Sequence, residues 1–158
     1  MKFGIGQPVR RKEDEWLLRG AGRFLDDVAI DDLAYATLLR SPHAHAEICS
    51  IDIERAAATP GVIAIATAAD IDADGFGALK CHYLKLLDHT GHSAIDFVPA
   101  QSLLAADRVR HVGDAVAMVV AETTVAAQAA ADLIEIDYAV LASAVDPALA
   151  ARGEAPTV

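Results

Sequence analysis

Cys81, His82, His89 and His92 are the side chains in this chain best suited to hold a metal, and they fall within twelve residues of one another. Thiolate and imidazole are the groups zinc takes in tetrahedral sites. Their spacing works against one shared ion, because adjacent Cys and His side chains rarely converge and no CxxC or HxxxH pair is present. Two readings stay open for this loop: a small metal or ligand site, or polar groups that face solvent or a partner surface. His43 and His45 lie two apart and would share one face of a strand, as a ligand pair, a proton relay, or side chains that bind backbone and shape a turn. Asp26, Asp27, Asp31 and Asp32 form an acidic group without the glycine and terminal glutamate of a calcium loop. They read as turn and capping residues. No Gly-x-Ser-x-Gly is present, and Cys49 falls inside an expected strand, where a buried thiol is inert. Gly20-Ala-Gly22 does not follow a strand and so is no phosphate-binding loop. The residues themselves thus define no catalytic site.

The elements that position these groups follow from hydrophobic pattern and breakers. A short helix is expected from Arg11 to Arg19, with Trp16 and Leu17 on its apolar side and Gly20 ending it. Strands are expected at Leu33–Arg40, Ala46–Asp52 and Val62–Ala66, the last one buried. A short helix at Glu54–Thr59 is stopped by Pro60-Gly61, and Ala68–Ile71 adds one helical turn. Residues 72–99 have no sustained period and form the long variable loop. Val109–His111 starts a strand, and the continuous apolar run Val116–Val120 suits a strand covered on both faces. Thr123 or Thr124 caps the next helix, whose expected buried face is Val125, Ala129 and Leu133. Ile134, Ile136, Tyr138 and Val140 alternate with Glu135 and Asp137 as a half-buried strand. Two strand–helix–strand units result, at 46–66 and 115–140. Parallel crossovers of right hand in a mixed β-sheet give an α+β fold class.

A chain of 158 residues can hide roughly 70% of its unfolded surface in one domain. With 13 basic against 23 acidic residues, a net charge of −10, it repels polyanions, so neither nucleic acid nor an anionic membrane is an expected partner. The opening Met1–Pro8 lacks the apolar stretch of a secretory signal, and no uncharged apolar run reaches spanning length. A cytoplasmic, reducing setting with free Cys49 and Cys81 is the expectation.

The stretch Arg110–Thr123 followed by Leu133–Tyr138 resembles a segment of the large subunit of molybdenum hydroxylases, the xanthine dehydrogenase, aldehyde oxidase and aerobic carbon monoxide dehydrogenase family. Other phrases resemble the family in the same order: Val9–Asp14, Leu17–Gly20, Gly22–Asp27, Arg40–Ala46 with Ile51-Asp52, Thr59–Val62 and Asp70. Leu103–Ala105, Arg108-Val109, Val112–Ala117 and Val145–Pro147 complete the set. Together they run through nearly the whole chain, apart from the loop at 72–99.

The resemblance implies an α/β hammerhead domain at 1–147 and a linker at 148–158 towards a molybdopterin-binding domain. It implies an oxidoreductase using molybdenum-bound pterin, with 2Fe-2S clusters and FAD on partner domains or subunits. The pterin-contacting segments and active-site glutamate of that family have no counterpart in this sequence. The expected catalytic, cofactor-binding and metal residues are therefore none, and the expected role is scaffold and interface to the molybdopterin, iron–sulfur and flavin partners. An independent binding module built on the Cys81–His92 loop is the alternative, and an enzyme complete in itself is the third.

Overall fold

The computed structural model describes Gly6 and residues 10–79 and 100–158. The chain divides into two compact units, Met1–Leu33 and Ala34–Val158.

The first unit carries helix α1, Asp14–Leu17, and a 3-10 turn at Leu25–Asp27. The helix is shorter than expected, and its apolar side finds no core: Trp16 is 64% exposed and Leu17 is exposed too. Gly20 ends the segment in the left-handed region, φ 69°, which glycine adopts without steric cost. Among the described residues of this unit none is buried.

Among its described residues the second unit holds six strands: β1 Tyr35–Arg40, β2 Ala46–Asp52, β3 Val62–Thr67, β4 Arg108–Val109, β5 Ala115–Ala121 and β6 Glu135–Val140. They form two three-stranded sheets, ordered β1-β5-β3 and β4-β2-β6. Helices α2 Glu54–Ala57, α3 Ala68–Ala73, α4 Thr124–Ala131 and α5 Pro147–Ala151 complete the unit. The last, capped by the Asp146 carboxylate, lies in the tail expected to be a linker.

The α+β class stands, but the strand directions differ from expectation. Every described pairing is antiparallel. Both strand–helix–strand passages exist, yet neither returns to the sheet it left. From β2 the chain crosses through α2 to β3 in the other sheet, and from β5 through α4 to β6 in the other sheet. The expected parallel crossover is thus corrected: a helix between two strands dictates a parallel return only when both join one sheet.

Strand β5 links the two cores. As the central strand of its sheet it is covered on both sides, as its unbroken apolar run predicts. Ala117 and Val119 enter a core with Ala56, Ala130, Ala131 and Ile134, while Val116 enters a second core with Ala46, Ala105 and Val109. Period-two alternation sends successive side chains to opposite faces, so one strand serves both.

Helix α4 buries a different face from the expected one. Ala127, Ala130 and Ala131 are buried, followed by Ile134, whereas Val125 is 77% exposed and Ala129 is exposed. The buried set has the i, i+3, i+4, i+7 spacing of an amphipathic stripe. Alanines let the helix approach β1 and β5 closely, a contact bulkier side chains would hold apart. The Thr123 side-chain oxygen accepts the Ala126 N–H at 3.1 Å, so the expected cap is in place. Strand β3 is also corrected: it lies at the edge of its sheet, and Ile63 is 59% exposed rather than buried.

Candidate functional site

The expected metal group Cys81, His82, His89 and His92 lies outside the described residues. His43 and His45 lie within them, just before β2 begins at Ala46, so the two-residue rule for sharing a strand face does not apply. His45 is buried, and its Nδ1 is 2.6 Å from the Ala142 carbonyl oxygen. A carbonyl only accepts, so Nδ1 carries the proton and donates. Nε2 is then buried with no hydrogen-bond partner among the described residues. The His45 carbonyl also accepts the Leu141 N–H at 2.9 Å, so side chain and backbone together hold the exit of β6.

The His43 ring instead meets Tyr138 edge to face, with centroids 5.0 Å apart. The His43 backbone N–H donates to the Ser41 hydroxyl at 3.0 Å, and that hydroxyl donates to the His43 carbonyl at 3.1 Å. Burial raises the Tyr138 hydroxyl above the usual phenol range, and the Asp114 charge acts in the same sense while Ser41 opposes it. Among the described residues the buried Tyr138 oxygen has no hydrogen-bond partner within full bonding geometry. Both histidines thus take the turn-shaping reading, each with its own partners.

The sequence did not single out the contact between this segment and the turn at Val112–Asp114. Ser41 N–H donates to the Asp114 carbonyl and Gly113 N–H to the Ser41 carbonyl, each at 2.8 Å. Arg40 Nη1 donates to the Gly113 carbonyl at 2.8 Å, and the Asp114 carboxylate accepts the Arg110 N–H at 3.0 Å. Gly113 has φ 89°, a conformation that disfavours any side chain. The phrases Arg40–Ala46 and Val112–Ala117, remote in sequence, therefore brace one another. Glycine followed by aspartate marks such a turn, but the identity of its partner is not written locally.

Cys49 is exposed and free, contrary to the buried thiol expected. The register of β2 against β6 shifts between Ile48 and Ser50, and this irregularity turns Cys49 out of the alternation. Asp27 takes the capping role, its carboxylate accepting the Phe24 N–H at 2.9 Å, and Asp32 sits in a turn with φ 59°.

A cavity of about 670 Å³ is lined by Ser102, Asp107, Arg108, Arg110, His111 and Asp114 among others. Two pairs engage charges of its lining, one of them with a residue outside it. Arg108 Nη2 is 2.9 Å from Glu47, and His111 Nδ1 is 3.7 Å from Asp114. Among the described residues no three His, Cys, Asp or Glu side chains converge as a ligand set. No helix among them is long and apolar enough to cross a membrane.

Two antiparallel three-stranded sheets, with side chains of β5 entering both cores, define a small α+β domain. The family model for the aldehyde oxidase and xanthine dehydrogenase a/b hammerhead domain matches residues 19–142. The chain is 38% identical over 153 residues to the carbon monoxide dehydrogenase large chain of Afipia carboxidovorans, covering 97% of this chain and 17% of that protein. The nicotine 6-hydroxylase large subunit of Paenarthrobacter nicotinovorans is 38% identical over 149 residues, covering 94% and 17%. Among solved structures, quinoline 2-oxidoreductase from Pseudomonas putida 86 superposes with a TM-score of 0.76 at 35% identity, covering 98% of this chain and 19% of that one. The chain belongs to this hammerhead family of the molybdenum hydroxylases, and it spans about a sixth of the length of the relatives it matches.

Proposed function

We propose that this chain is a scaffold and interface domain of a molybdopterin-dependent oxidoreductase of the aldehyde, purine or carbon monoxide type. It contributes no catalytic residue. The hammerhead spans 1–147, and residues 148–158 lead towards the molybdopterin-binding domain. That domain, with iron–sulfur and flavin partners, holds the molybdenum-bound pterin, the 2Fe-2S clusters and FAD, in the cytoplasm. When bound, the pterin group supplies the redox chemistry, and this chain fixes the geometry around it.

One observation carries the reading: Met1–Leu33 exposes Trp16, Leu18, Phe24, Leu25 and Ile30 while none of its described residues is buried. Large apolar groups gathered in a coreless segment mark a surface that a partner covers. The test is binding between this chain and the remainder of the large subunit, supplied separately. The wild type is expected to bind, and the double variant Trp16→Asp, Leu18→Asp to bind at least about tenfold more weakly. Equal affinity overturns the reading, as does aldehyde or purine oxidation by this chain alone.

A further inference from the structure

Among the described residues, four strands form the edges of the two sheets, β1 and β3 in one, β4 and β6 in the other. A sheet edge offers a row of backbone N–H and C=O groups to any extended chain that reaches it, and proteins blunt such edges with charge, brevity or cover. Three of these edges are blunted. β4 is two residues long, β6 carries Glu135 and Asp137, and β1 ends in Arg40 and lies against α4. The six residues of β3, Val62-Ile-Ala-Ile-Ala-Thr67, include no charge and no proline. Among the described residues, Ile63 to Ala66 make no backbone hydrogen bond outside their own sheet.

Along the chain, the described residues that flank this edge are acidic. No Lys, Arg or His occurs between Ala56 and Leu79, whereas Asp70, Asp72 and Asp74 follow β3 on and just after α3. At the other end the Glu122 carboxylate lies beside Gly61, where a side-chain carbon in place of the glycine hydrogen would sit 3.7 Å from it. Arg55, the nearest cation in sequence, is paired with Glu135 at 3.0 Å. Acid therefore flanks an uncharged edge at both ends.

We propose that β3 is a strand-addition site for an extended, uncharged segment of a partner protein with Lys or Arg at its two ends. Main-chain hydrogen bonds extend the sheet, and the flanking cations meet Glu122 on one side and the α3 aspartates on the other. A second copy of this chain fits badly, because antiparallel pairing of two β3 edges sets acid against acid at both ends. The proposal deepens the interface reading by naming one contact surface and its chemistry. It stands apart from the Met1–Leu33 surface, since its test reads different residues.

The experiment adds synthetic peptides to this chain and follows both affinity and amide exchange. A peptide with a Val-Thr-Val-Ala-Val centre and paired lysines at each end is expected to bind and to slow exchange at Ile63–Thr67. The same centre between paired glutamates is expected not to bind, and salt is expected to weaken the lysine peptide. Ile63→Lys places a charge on the edge and is expected to weaken binding at least about tenfold. The exposed pair Asp72→Asn, Asp74→Asn is expected to lower affinity and flatten the salt dependence even if Ile63→Lys fails to fold. Failure of the lysine peptide to bind overturns the proposal. So does protection at Tyr35–Arg40 instead of β3, equal binding of both peptides, or a concentration-dependent dimer protected at β3.

Discussion

Met1–Leu33 and Ala34–Val158 spend their apolar residues in opposite ways. The longer unit buries small side chains: Ala46, Ala56, Ala117, Ala121, Ala127 and Ala130 are fully enclosed together with Val109, Val116 and Val119. The shorter unit leaves its large ones, Trp16, Leu18, Phe24 and Leu25, in the open. Size of side chain is thus no guide to burial here. A core forms where a doubly covered strand lets helix and sheet approach closely, and alanine suits that distance. Bulk at the surface suits a partner, which removes more apolar area from water per residue covered.

Four changes break or sharpen this contrast, in falling order of effect. Val119→Asp puts an unpaired carboxylate into the core beneath α4 and is expected to cost about 4 kcal/mol or more, read as loss of the urea transition. An unchanged midpoint would mean that β5 is not the shared strand of the two cores. Thr123→Ala removes the oxygen that accepts the Ala126 N–H and is expected to cost about 1 kcal/mol, seen as a lower midpoint with the slope retained. Leu18→Asp is expected to move stability by less than about 0.5 kcal/mol, because a residue outside any core has no packing to lose. A large effect would show that Leu18 contributes to folding itself.

The smallest effect is one of pH. The Thr67 backbone N–H, then its hydroxyl, donate to the Asp70 carboxylate at 2.7 Å each and hold it below the usual carboxylate range. A lowered folded value means the contribution is present above the ordinary carboxylate range, which begins near pH 3.8, and fades as pH falls through the folded value. Asp70→Asn is expected to remove that acid-side slope in a urea titration run at several pH values. Solvent keeps the slope shallow, since the carboxylate is nearly fully exposed.

Much of this was legible along the chain. Five of the described strands fall where apolar alternation or an apolar run places them, while β4 at Arg108–Val109 meets the expected Val109–His111 only at Val109; the Thr123 cap was readable, and so was the half-buried pattern of Ile136 and Tyr138. The errors share a cause. Reading α4 by its bulkiest residues chose Val125, while the true stripe of alanines has the correct helical spacing but little hydrophobic contrast. Reading β3 as buried took an apolar run for a central strand, yet run composition is the same at an edge. Cys49 was misplaced because a register shift in β2 leaves no mark in local sequence. For the histidines, the spacing of His43 and His45 suggested a shared face. Their partners, Tyr138 and the Ala142 carbonyl, stand about a hundred residues away.

The sequence by itself determined most of the strands and helices, though not α5 at Pro147–Ala151, together with the acidic balance and the ordered phrases that mark the family, because these depend on neighbours within a few residues. Only the tertiary structure decided which sheet each strand joins, which face of α4 is covered, and that Arg40–Ala46 braces the turn at Gly113. Those choices depend on contacts between residues distant along the chain, where the distance a helix keeps from a sheet, rather than local preference, sets the outcome.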